Sequence, residues 1–135
     1  MSRRQLRGLS EAAIVAAVAA ILLTTLTSIG TGDSRQGGDC AFGLPCIVGH
    51  FALFGILGAA VGGRYAVSAA AARSPRRALA MTVLAIWIFA AADELAQSWW
   101  VTGRDGEFID WAADMTGAVI GLAATGPLLR LVVRS

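Results

Sequence analysis

Seven residues that could take part in chemistry lie within or beside long apolar segments of the chain. They are His50, Asp93, Glu94, Gln97, Arg104, Asp110 and Asp114. An ionisable side chain inside a membrane costs at least about 2.5 kcal/mol on insertion scales, so such residues generally have a function. Carboxyl groups beside a histidine can transfer protons, bind polar ligand groups or hold a cation. We therefore expect these seven residues to form one ligand-binding site.

The spacing of these residues predicts that they lie at one depth. Asp93 and Gln97 are four residues apart and share a helix face, as do Asp110 and Asp114. His50 falls near the start of its own apolar segment, at the matching level. Asp114 is also expected near a helix N-terminus, where the helix dipole stabilises negative charge.

The charges in this group need compensation. Four carboxylates close together repel one another in a low-dielectric setting, so they must be protonated, paired with Arg104 and His50, or bound to a cation. The alternative to a binding site is a polar lock, in which the same residues only fix the register of the helices. Both interpretations require the groups to meet in the folded chain.

Four apolar stretches must position these residues, and each is near the length of about 20 residues that a helix needs to cross a membrane. They cover residues 12–29, 46–66, 78–100 and 111–133. The chain of 135 residues is 56% hydrophobic with a mean hydropathy of +0.67, more than a soluble domain of this size can bury. Backbone groups in lipid must be satisfied within each segment, which predicts helices. The predicted fold is an all-α integral membrane bundle of four transmembrane helices, with residues 1–135 as a single domain.

The arginine distribution predicts the orientation of the bundle. All 11 basic residues are arginine, and only Arg35 and Arg104 lie in the first and third connections. Because positive charge is retained on the cytoplasmic side, both ends of the sequence and the connection 67–77 are predicted to be cytoplasmic. The polar site then faces outward, in a cell membrane. The net charge of +2 and the lack of a basic stripe argue against a nucleic-acid partner.

Glycines at helical spacing predict close packing between two of the helices. Gly58 and Gly62 lie four residues apart in the second stretch, and Gly117 and Gly121 repeat this spacing in the fourth. Small residues at such intervals let two helix backbones approach each other in a membrane.

Cys40 and Cys46 flank five residues in the first outward connection. An oxidising compartment and this short separation allow a disulfide that would hold the approach to His50. Two unpaired thiols are the alternative, and the sequence does not decide between them.

The segment DELAQSWWVTGRDGEFIDWAADMTGAVIG, residues 93–121, resembles the signature of the VanZ-like membrane proteins. That signature is D-E-x-x-Q, an arginine in a short loop, and D-x-x-x-N-x-x-G. The residues that match it are Asp93, Glu94, Gln97, Arg104, Asp110 and Gly117. A second family element, Asp-Lys-x-x-His followed by an aromatic residue, is matched by His50 and Phe54.

Three positions depart from the family pattern. Cys46 and Ile47 stand where the family has Asp and Lys, and Asp114 replaces the usual Asn. The site is therefore more negative than the family pattern. The resemblance implies a bacterial envelope protein, and the name-giving member of the family is associated with low-level resistance to the glycopeptide teicoplanin.

The leading functional interpretation is a binding site for a polar group at the outer membrane surface. The ligand would be a lipid head group, a cell-wall precursor or a lipophilic glycopeptide antibiotic, because the polar part can bind the site while the apolar part stays in lipid. The alternative is a membrane-embedded hydrolase or transferase of envelope precursors, with Glu94 or Asp93 as general acid or base and His50 as partner. A transporter or proton relay would need an oligomer to supply more spans.

No cofactor is predicted. His50 with the carboxylates has the ligand types that suit Zn²⁺ or Mn²⁺, but neither HExxH nor CxxC spacing occurs, so no metal is assigned from the sequence. The expected partners are membrane lipid and a lipid-linked precursor or lipophilic antibiotic.

Overall fold

The computed structural model describes residues 2–26, 39–40, 44–100 and 108–134, with side chains described for 2–26, 47–100 and 108–125. Five helices make up almost all of this part of the chain: α1 (Arg3–Leu26), α2 (Cys46–Ala66), α3 (Ala69–Arg73), α4 (Pro75–Trp100) and α5 (Phe108–Arg134). Two-residue strands, β1 (Asp39–Cys40) and β2 (Leu44–Pro45), pair antiparallel ahead of α2. The predicted all-α bundle is confirmed.

Local capping explains why two helices begin before their apolar stretches. At the start of α1, the Ser2 hydroxyl accepts from the Gln5 backbone N–H at 3.2 Å, and the Gln5 carboxamide oxygen accepts from the Ser2 N–H at 2.9 Å. This reciprocal pair is a capping box. α4 begins at Pro75, a residue that suits the first position of a helix because its missing N–H would have no intrahelical acceptor there.

The short helix α3 lies in the connection 67–77, for which the sequence predicts no membrane span. Ser68 is its N-cap, and the Ser68 hydroxyl accepts from the Ala71 backbone N–H. Four alanines, the best helix formers, follow this cap. Ser74 ends α3 and donates its N–H to the Ala70 carbonyl.

Three of the described helices are long and apolar enough to cross a membrane: Arg3–Leu26, Ile47–Ala66 and Pro75–Trp100. Their outward faces carry large apolar side chains, including Val15 at 70% exposure and Ile88 at 60%. Exposed apolar side chains on helices of this length are compatible with a membrane protein. α5 covers the fourth predicted span, and the number of spans stays a prediction.

α2 packs most extensively against α5, and glycines form this contact. A Cβ atom at Gly58 would overlap the backbone of Ala118, and one at Gly121 would overlap the backbone of Gly55 and Ala59. These overlaps show that the two backbones are nearly in contact. The predicted close approach is confirmed for Gly58, Gly117 and Gly121, and Gly55 adds a fourth glycine to the contact.

A hydrogen bond and an aromatic core reinforce the bundle. The Thr125 hydroxyl lies 2.9 Å from the Ala59 carbonyl, which links α5 to α2. Phe54 is fully buried at the centre, with its ring 5.7 Å from that of Phe89 on α4. Ile21 completes this core from α1.

The end of the bundle opposite the candidate site is held by an ion-pair group. Glu11 of α1 accepts from Arg7 at 2.9 Å and from Arg64 of α2 at 3.0 Å. Arg64 and Arg77 also line a cavity of about 460 Å³ between α2, α3 and α4. The start of α1 therefore lies beside the end of α2, so the two helices are antiparallel.

Candidate functional site

Six of the seven sequence-predicted residues are buried in one place. Each is 8% exposed or less, and they come from α2, α4 and α5: His50, Asp93, Glu94, Gln97, Asp110 and Asp114. We call these six residues, together with Thr25 of α1, the polar cluster. Every long helix of the bundle contributes to it.

His50 lies at the centre of the cluster, with carboxylates on both sides of its ring. Its Nδ1 atom is 2.9 Å from Asp114 Oδ1 and 3.6 Å from Glu94 Oε1. On the other side, Nε2 is 3.7 Å from Asp110 Oδ2. Only the contact with Asp114 is a hydrogen bond by its length. His50 thus connects α2 to α4 and to two successive turns of α5.

Asp93 forms the second part of the cluster. The Thr25 hydroxyl lies 2.8 Å from Asp93 Oδ1, and Gln97 Nε2 donates to Asp93 Oδ2 at 3.1 Å. Gln97 Nε2 is also 3.4 Å from Glu94 Oε1, which joins this part to the surroundings of His50. The predicted shared face of Asp93 and Gln97 is confirmed.

Two buried polar atoms of α5 have no hydrogen-bond partner among the described residues: Asp114 Oδ2 and Trp111 Nε1. Asp114 is 0% exposed, so water does not reach the orphan oxygen across the protein surface. A buried acceptor or donor without a partner costs about 1 to 3 kcal/mol. An acceptor and a donor three residues apart on one helix are the groups that a polar ligand, an ion or a bound water would satisfy.

α5 begins at Phe108, three residues before the predicted start at residue 111. Asp110 therefore occupies the first turn, where the helix dipole stabilises a carboxylate. Asp114 lies a full turn further along the helix. The expectation that the helix dipole stabilises Asp114 was wrong. Asp110 is the acidic residue in the first turn of α5.

The cluster lies well inside the bundle. His50 and Arg64 are 14 residues apart on α2, or about 21 Å along the helix axis. The hydrocarbon core of a membrane is about 30 Å thick. If the bundle crossed such a membrane with the Glu11 ion pairs at one surface, the cluster would lie about 9 Å below the other.

Two predictions fall outside the described part of the chain. Arg104 lies in the undescribed connection 101–107, and the side chains of Cys40 and Cys46 are not described. Pairing of Arg104 with the carboxylates and the Cys40–Cys46 disulfide therefore stay predictions.

Sequence reasoning missed Thr25 and Trp111 as members of the site. The sequence does not indicate that Thr25 belongs to the site. A threonine in an apolar helix ordinarily donates its hydroxyl to a carbonyl of its own helix, and Thr25 also does so to Ile21 at 2.8 Å. Trp111 is not among the seven residues expected to form the site. Its position three residues before Asp114 is the signal that was available.

Comparison of the chain with protein-family models, curated proteins and solved structures finds no match. The resemblance to VanZ-like proteins therefore rests on the motif residues alone. Five of the six residues that match the main motif have described side chains, and four of these lie in the polar cluster: Asp93, Glu94, Gln97 and Asp110.

Proposed function

We propose that this protein binds the polar group of an amphiphilic envelope molecule through the polar cluster. The ligand class is a lipid head group, a lipid-linked cell-wall precursor or a lipophilic glycopeptide antibiotic. The carrying observation is the buried pair on α5, Asp114 Oδ2 and Trp111 Nε1, which have no hydrogen-bond partner among the described residues. A polar lock built from the described residues would pair both atoms with other protein groups, so their missing partners favour a ligand.

The depth of the cluster supports an amphiphilic ligand. A site about 9 Å below the membrane surface can be reached from the lipid by a molecule whose apolar part stays among the acyl chains. Exposed aromatic residues mark the same end of the bundle: Trp99 is 75% exposed, Trp100 73% and Phe108 77%. Aromatic side chains concentrate at the boundary between head groups and acyl chains.

The packing of α4 supports a route into the site. α2 and α5 are held together by glycine contacts, whereas α4 packs less extensively on α2 and α5. Asp93, Glu94 and Gln97 are all carried by α4. A small outward movement of α4 would therefore open the cluster to lipid while His50 and Asp114 stay in place.

The proposed cellular role follows from the motif resemblance. The protein would be a multi-pass protein of a bacterial cell membrane, with both ends of the sequence cytoplasmic and the cluster on the outer side. Binding of a glycopeptide or its precursor target there would contribute to teicoplanin-type resistance. The test is expression of the parent protein in a glycopeptide-susceptible bacterium. We expect the minimal inhibitory concentration of teicoplanin to be higher than in the same bacterium without the protein.

Direct binding is the sharper test. The purified protein in lipid nanodiscs is titrated with a fluorescent lipid-linked precursor, with teicoplanin and with an anionic phospholipid. Glu94→Gln is compared with Glu11→Gln, which removes the same charge from the opposite end of the bundle. We expect at least tenfold weaker binding for Glu94→Gln and no change for Glu11→Gln. Equal binding by both variants and the parent would refute the proposal.

A hydrolase or transferase is the second candidate function. The observation in its favour is the His50–Asp114 hydrogen bond of 2.9 Å with Glu94 Oε1 3.6 Å from the same ring nitrogen. A carboxylate that orients a histidine is the usual support for a general base. Product formation from the labelled precursor would favour this candidate, and binding without turnover would favour the first.

A further inference from the structure

We infer that His50, Glu94 and Asp110 bind a divalent transition-metal ion of the Zn²⁺ or Mn²⁺ type, and that Asp114 orients His50 for this role. This inference deepens the proposed function and rests on the same intramembrane site. It starts from an arrangement of three side chains: one ring nitrogen of His50 and one oxygen each of Glu94 and Asp110 lie within 4.8 Å of one another.

The distances between these atoms suit ligands of a common ion. Nε2 of His50 is 3.7 Å from Asp110 Oδ2, and Glu94 Oε1 is 3.6 Å from the other ring nitrogen, Nδ1. Both exceed the usual upper limit of about 3.2 Å for a hydrogen bond between nitrogen and oxygen. Two atoms that each lie about 2.1 Å from one tetrahedral ion are about 3.4 Å apart. Asp110 Oδ2 is therefore near ligand distance from Nε2, and a rotation of the Glu94 side chain would bring its carboxylate to the same ion.

Asp114 holds the histidine in the form that an ion requires. Asp114 Oδ1 lies 2.9 Å from His50 Nδ1, so Nδ1 carries the proton and donates it in a hydrogen bond to Asp114. Nε2 then has a lone pair available on the side of the ring that faces Asp110. Histidine ligands of metal ions commonly donate their other ring N–H to a carboxylate in this way. The assignment makes Asp114 a positioning residue for His50.

The orphan oxygen of Asp114 is a second and separate indication of a ligand. Oδ2 is buried, has no hydrogen-bond partner among the described residues and belongs to a side chain that is 0% exposed. A bound cation, or a water molecule coordinated to it, supplies the positive charge or the donor that this oxygen needs. One histidine with several carboxylates is a ligand set that suits Zn²⁺ and Mn²⁺ better than Mg²⁺ or Ca²⁺.

The test is metal analysis of the full-length protein in nanodiscs, without any amphiphile. The protein is stripped with a chelator, titrated with Zn²⁺ and separately with Mn²⁺, and assayed for bound ion and for its melting temperature. We expect one ion per chain and a higher melting temperature with the ion. Co²⁺ should give visible absorption bands of a tetrahedral site.

Matched variants identify the site. We expect at least tenfold weaker binding for Glu94→Gln and for Asp110→Asn, and unchanged binding for Glu11→Gln. Asp114→Asn, which keeps an acceptor for Nδ1, should weaken binding less than Asp110→Asn does. If a variant does not fold, the effect of the chelator on the parent's melting temperature still decides the question.

Two outcomes would overturn the inference. One is a parent protein that binds no ion above the level of empty nanodiscs, and the other is equal binding by the parent, Glu94→Gln and Asp110→Asn. Metal binding without amphiphile binding would refute the proposed function alone. Amphiphile binding that persists in metal-free protein, with no ion bound on titration, would refute the metal site alone.

Discussion

Thr24 and Thr25 are neighbours on α1 but make different hydrogen bonds. Both hydroxyls contact carbonyl groups one turn earlier in the same helix, Thr24 at 2.8 Å from Ala20 and Thr25 at 2.8 Å from Ile21. Only Thr25 also reaches another helix, at Asp93. Substitution of Thr25 therefore measures the contribution of its contact with Asp93, and the same substitution of Thr24 serves as the control.

Thr25→Val should lower the free energy of unfolding by about 1 to 2 kcal/mol, because it leaves a buried carboxylate oxygen of Asp93 with one donor fewer. Thr24→Val should change it by less than about 0.5 kcal/mol, since that hydroxyl bonds only within its own helix. Unfolding in mixed detergent micelles measures both. Equal effects would mean that the contact between Thr25 and Asp93 adds nothing to stability.

Asp114 gives a second prediction at this scale. Asp114→Asn retains an oxygen that accepts from His50 Nδ1 and removes a buried charge, so the free energy of unfolding should stay within about 1 kcal/mol of the parent's. Asp114→Leu removes the acceptor and should lower it by about 2 to 3 kcal/mol. Thermal melting in nanodiscs compares the two. A large loss with Asn would show that the charge itself stabilises the fold.

Residue types and spacing were sufficient to predict six members of the polar cluster. Charged groups in an apolar helix can be recognised one at a time, and the four-residue intervals of Asp93 with Gln97 and of Asp110 with Asp114 place each pair on one face. The central position of His50 was not predictable. It depends on which helices are neighbours, and no local pattern carries that information.

At the scale of helices, the sequence predicted the apolar core of each element better than its ends. The predicted stretch 46–66 coincides with α2, whereas α1 begins nine residues before residue 12 and α4 three before residue 78. Hydropathy measures the part of a helix that lies in lipid. Helix continues into the polar boundary wherever caps such as Ser2 with Gln5 satisfy its first N–H groups.

The contact between α2 and α5 gives a prediction at this scale. Gly58→Ala should destabilise the bundle by about 3 kcal/mol, because the new methyl group overlaps the backbone of Ala118 and the helices must separate. Gly49→Ala on the same helix should be neutral or stabilising by up to about 1 kcal/mol, since nothing lies within 4 Å of its Cβ position. Unfolding in mixed micelles tests this contrast, and equal destabilisation by both would contradict the close approach.

At the scale of the whole molecule, the two ends of the bundle differ in chemistry. One end holds the acidic polar cluster, and the other holds Glu11 with Arg7 and Arg64. α1 and α2 run in opposite directions between these ends. This polarity agrees with the arginine distribution in the sequence, which predicts the arginine-rich end to be cytoplasmic.

Reporter fusions test this orientation. Fluorescent protein joined after Ser135 should fluoresce, because it folds in the cytoplasm, and alkaline phosphatase inserted after Gln36 should be active, because it needs the oxidising exterior. Exchanging the two reporters should silence both. Fluorescence at Gln36 with phosphatase activity at Ser135 would place the polar cluster on the cytoplasmic side and remove the envelope ligand from consideration.

The glycine contact between α2 and α5 also has a consequence for synthesis. Ribosomes synthesise α2 before α5, so His50 cannot contact Asp110 and Asp114 until residues 108–134 have been made. A chain interrupted after α4 would carry His50 and Glu94 but lack both the carboxylates of α5 and the helix that packs on Gly58. The site is therefore completed in a single late step, when one helix brings the missing ligands and the surface that holds them.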